Sequence, residues 1–306
     1  MPTGFLLSLR PKQWIKNLLV FAGLVFARRW DDPASIVCAL AGFAIFCALS
    51  GVVYIHNDIM DVAQDREHPR KRLRPIAAGR ISPAVAGTGA ALLAIAALGG
   101  SFLFLPRPFF WLALLYLLLT ATYSAWLKHI VILDILVLAL GFVVRALAGI
   151  EVIQIHPENP VEVTSYFLLT TLFLALFLAT AKRRSELLTL GEEAVSHRRV
   201  LGEYSPAFLD LMLGIVTTGT LFSYALWATQ GQFASSGAES IQGVENTYLL
   251  VLTMPFVLYG VFRYLWLACQ QQEGGAPELV LLQDKPLLAT VFFWAVTVVA
   301  VLASLS

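Results

Sequence analysis

The chain has 306 residues, of which 58% are hydrophobic and only 13% charged, with a mean hydropathy of +0.75 and a formal net charge of +1. Apolar runs recur from the first helix to the last residues, which excludes a soluble domain carried on a single anchor and indicates a polytopic membrane protein. Nine spans would use nearly the whole length, so the expectation is one all-α integral-membrane domain over residues 1–306, with a polar cap.

The candidate spans are 12–28, 34–56, 83–105, 109–127, 131–150, 164–182, 206–230, 246–267 and 286–305. The first is short and starts with Lys12 and Lys16, which puts its beginning in the interface, with Trp14 as an aromatic anchor. It reads as a span rather than a cleaved leader, because no small-residue cleavage site follows it. The second runs into the most polar stretch of the chain, from Asn57 to Pro75, with four acidic and five basic residues. Ser82-Pro83 and Ser205-Pro206 read as an N-cap followed by an N1 proline, opening the third and seventh spans. Pro106-Arg107-Pro108 breaks the chain between the third and fourth. The ten-residue alternation of an outer-membrane barrel is absent.

Charge placement predicts the orientation. Sixteen of the 21 Lys and Arg residues fall on the side that holds the N-terminus, three fall on the other, and Arg145 and Arg263 lie within spans. By the positive-inside rule the N-terminus and the Asn57–Pro75 stretch are cytoplasmic, in a cell membrane. A second charged segment, 182–205, follows the sixth span on the same side, so both segments cover one mouth if the bundle closes.

If Asn57–Asp65 is helical, a turn of about 100° per residue sets Asn57, Asp58, Asp61 and Asp65 at roughly 0°, 100°, 40° and 80°, on one face. Three carboxylates that close repel one another unless a cation neutralises them, and an all-oxygen set suits Mg²⁺, which normally completes its shell with water and phosphate oxygens. The bland alternative is a solvated acidic helix end balanced by the basic run after it. His68 joins the face only if the helix continues, which Pro69 opposes.

Lys71 and Arg74 are candidate phosphate ligands, Arg74 beside the rigid Pro75; Arg70 and Arg72 serve equally well as headgroup anchors. Lys16 is a phosphate ligand or a snorkelling interfacial lysine. Tyr123 and Lys128 flank the connection after the fourth span, where a tyrosine is a belt residue or a ligand. Asp134 and Arg145, eleven positions apart in one span, form an intramembrane ionisable pair, placed in or just below the site or else as a structural buried pair. Glu186, close to Arg183 on any helix there, is a second polar arm. Cys38, Cys47 and Cys269 have neither pairing nor ligand spacing. Nucleophile elbows, Walker A and dinucleotide fingerprints are missing, and nothing points to nucleic acid.

Asn57-Asp58-x-x-Asp61-x-x-x-Asp65 at the end of a second span resembles the first signature of the UbiA-type intramembrane prenyltransferase superfamily. That resemblance implies nine helices around a lipid-accessible cavity, with two cytoplasmic polar motifs holding a Mg²⁺-diphosphate. Details over Leu9–Leu18, Asp65–Gly79, Tyr123–Lys128, Asp134 with Arg145, and Lys182–Leu187 are most similar to the decaprenyl-phosphate phosphoribosyltransferase branch. Prenyl-transferring members carry a second Asp-rich motif after the sixth span; here Lys182, Arg183, Arg184 and Glu186 stand there. Cations in place of carboxylates suit a donor with an additional phosphate.

The activity implied is Mg²⁺-dependent transfer of 5-phosphoribose from phosphoribosyl diphosphate to a polyprenyl (decaprenyl) phosphate, supplying cell-envelope arabinan precursors. Asp58, Asp61, Asp65 and Asn57 would hold the metal; Lys16, Lys71, Arg74, Tyr123, Lys128, Arg145, Arg183 and Glu186 would bind substrate. The partners are these two substrates and membrane lipid, and a homo-oligomer is compatible with all of this. The alternatives are prenyl transfer to an aromatic or glycerol-phosphate acceptor, and a transporter with Asp134 and Arg145 as its site; in the latter, charge would concentrate at the midplane rather than one mouth.

Overall fold

The computed structural model describes residues 2–67, 71–161, 164–190, 199–229, 247–270 and 277–304. Twelve α-helices fall in these segments: α1 Pro2–Ser8, α2 Ala22–Phe26, α3 Pro33–Met60, α4 Val62–Glu67, α5 Pro83–Phe104, α6 Arg107–Ala125, α7 Leu133–Glu151, α8 Ser165–Leu190, α9 Pro206–Thr229, α10 Met254–Gln270, α11 Pro277–Gln283 and α12 Lys285–Ser304. No strand occurs among the described residues. Among the described residues eight helices are long and apolar enough to cross a membrane, where nine spans are expected over the whole chain. Leu103, Phe104, Leu92 and Phe222 lie exposed on their outer faces, where only lipid makes such exposure favourable. The chain is a multi-pass membrane protein.

Local signals account for the helix starts. Ser82 Oγ accepts the Val85 amide at 3.3 Å and Ser205 Oγ accepts the Phe208 amide at 3.2 Å, as the two Ser-Pro pairs predict. Asp32 caps α3 by accepting from the amides of Ala34 and Ser35.

The segment expected as the first span is not one α-helix. Pro11–Phe21 is a 3₁₀ helix of 11 residues, continued by α2. At about 2.0 Å rise per residue in its 3₁₀ part, the segment through Phe26 reaches roughly 30 Å, where an α-helix of the same residues reaches only about 24 Å. The pattern of burial follows the three-residue period: Asn17 and Val20 are buried, with Trp14 on the same stripe, while Lys12 and Leu18 are exposed.

That stripe packs on α7, the most enclosed of the long helices. The approach is backbone to backbone: a Cβ on Gly23 would overlap the Gly149 carbonyl, and one on Gly149 would overlap the Val20 carbonyl. Backbone cannot step aside as a flexible side chain can. Gly149→Ala is therefore expected to destabilise the protein by about 1–3 kcal/mol, the usual cost of overpacking, read as a lowered thermal midpoint in detergent. Wild-type stability in that variant would mean that the first segment does not seat on α7.

Candidate active site

The polar mouth begins where α3 ends. Asp61 leaves helical geometry at φ −96°, ψ 10°. Yet its amide donates to the Asn57 carbonyl at 2.9 Å, and the Asp65 amide to the Asp61 carbonyl at 2.8 Å. The turn-to-turn bonding thus passes through the kink into α4, which keeps Asn57, Asp61 and Asp65 in helical sequence.

Asp58 and Asp65 are both buried. Arg74 Nη1 bridges them, 3.2 Å from Asp58 Oδ1 and 2.6 Å from Asp65 Oδ2, and Arg10 Nη2 makes a second ion pair with Asp58. Asp61, the most open of the three with 34% of its side chain exposed, lies 3.4 Å from Lys128 Nζ. Among the described residues no group of three His, Cys, Asp or Glu side chains is arranged around one position: Asp58 and Asp65 turn to arginine and Asp61 to Lys128. The reason is electrostatic. Carboxylates this close need positive charge, and Arg10, Arg74 and Lys128 supply it.

Asn57 Oδ1 is buried and has no hydrogen-bond partner among the described residues. A buried acceptor without a donor costs free energy, and a hard cation satisfies an amide oxygen as readily as a carboxylate. Asn57, Asp61 and Asp65, on successive turns, offer only oxygen donors, the kind Mg²⁺ takes.

A second cluster forms the opposite arm. Arg183, on α8, has its guanidinium fully buried and its fork spread over three partners. Nε donates to Asp134 Oδ2 at 2.6 Å, Nη1 to Glu186, and Nη2 to the Tyr123 hydroxyl at 3.1 Å. Lys182 Nζ lies 3.9 Å from Glu186. Tyr204 completes the group by donating its hydroxyl to Asp134 Oδ1 at 2.7 Å. Glu186 and Arg183 thus meet as the sequence suggests, but Arg183 spends its charge on carboxylates rather than facing open space.

Lys16 lies near enough to Lys182 for their charges to repel, which ties the 3₁₀ segment to the same mouth. Lys71 opens the short 3₁₀ turn Lys71–Leu73, and its carbonyl accepts the Arg74 amide at 2.9 Å. His68 to Arg70 and the stretch 191–198 lie outside the described residues.

Arg145 does not pair with Asp134. Eleven residues of α7 set them roughly 16 Å apart along the axis. Arg145 Nε donates to Asn17 Oδ1 at 2.8 Å, Nη1 to the Gly141 carbonyl at 3.0 Å and Nη2 to the Tyr116 hydroxyl at 2.7 Å, with the Tyr116 ring 4.5 Å away. Its partners are neutral groups one level below the mouth, and they tie the first segment, α6 and α7 together. Two residues of the mouth escape sequence reasoning. Arg10 stands in a recognisable basic stretch and could have been found; Tyr204 is seventy positions from its carboxylate and gives no local signal.

The model of the UbiA prenyltransferase family matches residues 17–282. A decaprenyl-phosphate phosphoribosyltransferase of Corynebacterium glutamicum is 32% identical over 300 residues, 97% of this chain and 86% of that protein. One of Mycolicibacterium smegmatis is 31% identical, over 97% of this chain and 91% of that protein. Among solved structures, a UbiA homolog from Archaeoglobus fulgidus bound to DMAPP and Mg²⁺ superposes with a TM-score of 0.71 at 18% identity, covering 98% of this chain and 99% of the other.

Proposed function

The chain belongs to the UbiA prenyltransferase family, and we propose that it transfers 5-phosphoribose from phosphoribosyl diphosphate to decaprenyl phosphate or a related polyprenyl phosphate. The observation that carries this reading is similarity over nearly the whole chain to relatives named as decaprenyl-phosphate phosphoribosyltransferases. The mouth agrees with it: Lys182 and Arg183 stand where a second acidic motif would otherwise be, and Arg10, Arg74, Lys128 and Lys16 add cationic donors for a substrate with several phosphates.

In the reaction the C1–O bond of the ribose to diphosphate breaks and a bond from an acceptor phosphate oxygen to C1 forms, releasing diphosphate. Asn57, Asp61 and Asp65, with Asp58 behind them, would hold Mg²⁺, which would neutralise charge on the leaving diphosphate. Arg74, Lys128, Lys16 and Lys71 hold phosphate oxygens and favour the charge that builds as the bond opens. Tyr123, fixed by Arg183, offers a hydroxyl donor, and Glu186 keeps Arg183 in place. The acceptor phosphate is an anion at neutral pH, so no base has to remove a proton from it. Its polyprenyl chain lies among the apolar helices, which is why a reaction of a water-soluble sugar is carried out by a membrane protein.

Residues 1–306 act as one domain, with Pro11–Phe26 as a ninth crossing. Its 3₁₀ stretch gives sixteen residues a reach close to the roughly 30 Å of a bilayer core. The N-terminus and the mouth face the cytoplasm, where Lys and Arg concentrate and the soluble donor is available.

The test uses purified protein, labelled phosphoribosyl diphosphate, polyprenyl phosphate and Mg²⁺. A lipid-linked label is the expected result, lost when EDTA replaces Mg²⁺. Consumption of allylic diphosphates alone would assign the chain to prenyl transfer instead.

A further inference from the structure

Ile132, at the entrance to α7, holds a conformation that branched residues avoid. Its φ is 69° and its ψ −44°, and the Leu133 amide donates to the Val131 carbonyl at 2.8 Å. This is a three-residue turn of the γ type with positive φ, which is rare and strained, and a β-branched side chain makes it an outlier. Such strain persists only where the surroundings over-determine it.

Tyr204 supplies that determination from the far side of the sequence. Its hydroxyl oxygen accepts the Ile132 amide at 2.7 Å, while its hydrogen goes to Asp134 Oδ1 at 2.7 Å. One phenol thus satisfies the amide at the centre of the strained turn and one oxygen of the buried carboxylate two residues on. The Tyr204 ring is itself buried and stacks on Phe208, 6.2 Å between centroids. The other oxygen of Asp134 takes Arg183, which continues to Glu186 and Tyr123. Burial, together with the bond to Asp134, pushes the Tyr204 hydroxyl well above the ordinary tyrosine range, so the proton that serves Asp134 stays in place.

We propose that Tyr204 is a positioning residue: it clasps the strained turn at Ile132, aims Asp134 at Arg183, and so holds Tyr123 and Glu186 where the donor substrate binds. The part concerning substrate rests on the phosphoribosyl reading above; the clasp does not. The geometry also links the segment after Arg199–Glu203 to the mouth, so a loop remote in sequence sets the shape of the binding arm.

The experiment compares the full-length wild type with Tyr204→Phe, which keeps the ring and its stacking and removes only the hydroxyl. Hydrogen exchange across 130–136 reports the clasp directly, and kinetics with phosphoribosyl diphosphate report its consequence. Faster exchange at the start of α7 is expected, with KM for the donor raised about tenfold, the effect of losing one good hydrogen bond to a charged group, and kcat little changed. Adding Ile132→Gly to Tyr204→Phe should lower KM again, because glycine holds positive φ without strain and the turn no longer needs the clasp. Unchanged exchange in Tyr204→Phe overturns the clasp. Parallel loss of kcat, KM and thermal stability, with no rescue by Ile132→Gly, overturns the positioning role in favour of a merely structural one. If wild type does not use phosphoribosyl diphosphate at all, the substrate reading fails, while the exchange contrast still decides the clasp.

Discussion

Replacing Asp61 by alanine is expected to lower turnover by about 10²–10³-fold, the usual loss when one preorganised electrostatic contact to the reacting group is removed. The protein should insert and unfold much as wild type does. The two expectations separate because Asp61 is the exposed member of the acidic face. A third of its side chain is open and its ion pair with Lys128 is 3.4 Å long; a pair of that kind contributes about 0–1 kcal/mol to stability. Its Lys128 contact therefore adds little to the fold, while Asn57 Oδ1, one turn earlier, has no hydrogen-bond partner among the described residues. Turnover of labelled phosphoribosyl diphosphate and a thermal scan of the same preparation check both halves. Retained turnover would mean that the acidic face does not act on the substrate.

The second large effect runs the other way, into stability. Arg183→Ala is expected to cost about 3–5 kcal/mol, because it leaves Asp134 as a buried carboxylate without its cation. Asp134 is completely buried and Arg183 only 1% exposed, so water cannot take over the lost contact. Lysine does not restore the site, since one ammonium cannot reach Asp134, Glu186 and Tyr123 as a planar fork does. The double variant Asp134→Ala with Arg183→Ala should recover part of the loss, because removing both partners leaves no orphaned charge. Denaturant or thermal unfolding in detergent measures this. An Arg183→Ala variant as stable as wild type would mean that Arg183 and Asp134 do not share the buried pair described here.

These two residues also mark how far the sequence could be read. Asn57, Asp58, Asp61 and Asp65 stand within nine positions, and a helical period is enough to predict that they share a face; the i→i−4 bonds through Asp61 carry that face across the kink. Ser82-Pro83 and Ser205-Pro206 announce helix starts through bonds that reach only three residues. The pairing of Asp134 with Arg145 fails for the opposite reason. Both lie on α7, and proximity in sequence suggests a bridge, but the helix axis separates them and each finds closer partners on other helices. The 3₁₀ form of Pro11–Phe21 is likewise invisible to an α-helical period, because it depends on Gly23 and Gly149 letting two backbones meet.

Composition, the recurrence of apolar runs and the charge at one end therefore determined the class of this protein, its helical content and the acidic half of its mouth. All of these depend on solvent transfer and on interactions a few residues long. Tertiary structure alone decided which cation neutralises which carboxylate: Arg10 and Arg74 on Asp58, Lys128 on Asp61, Arg183 on Asp134, Tyr204 behind it. Those choices join residues from sixteen to seventy positions apart, and a buried charge takes whichever partner the packing of the helices brings within reach.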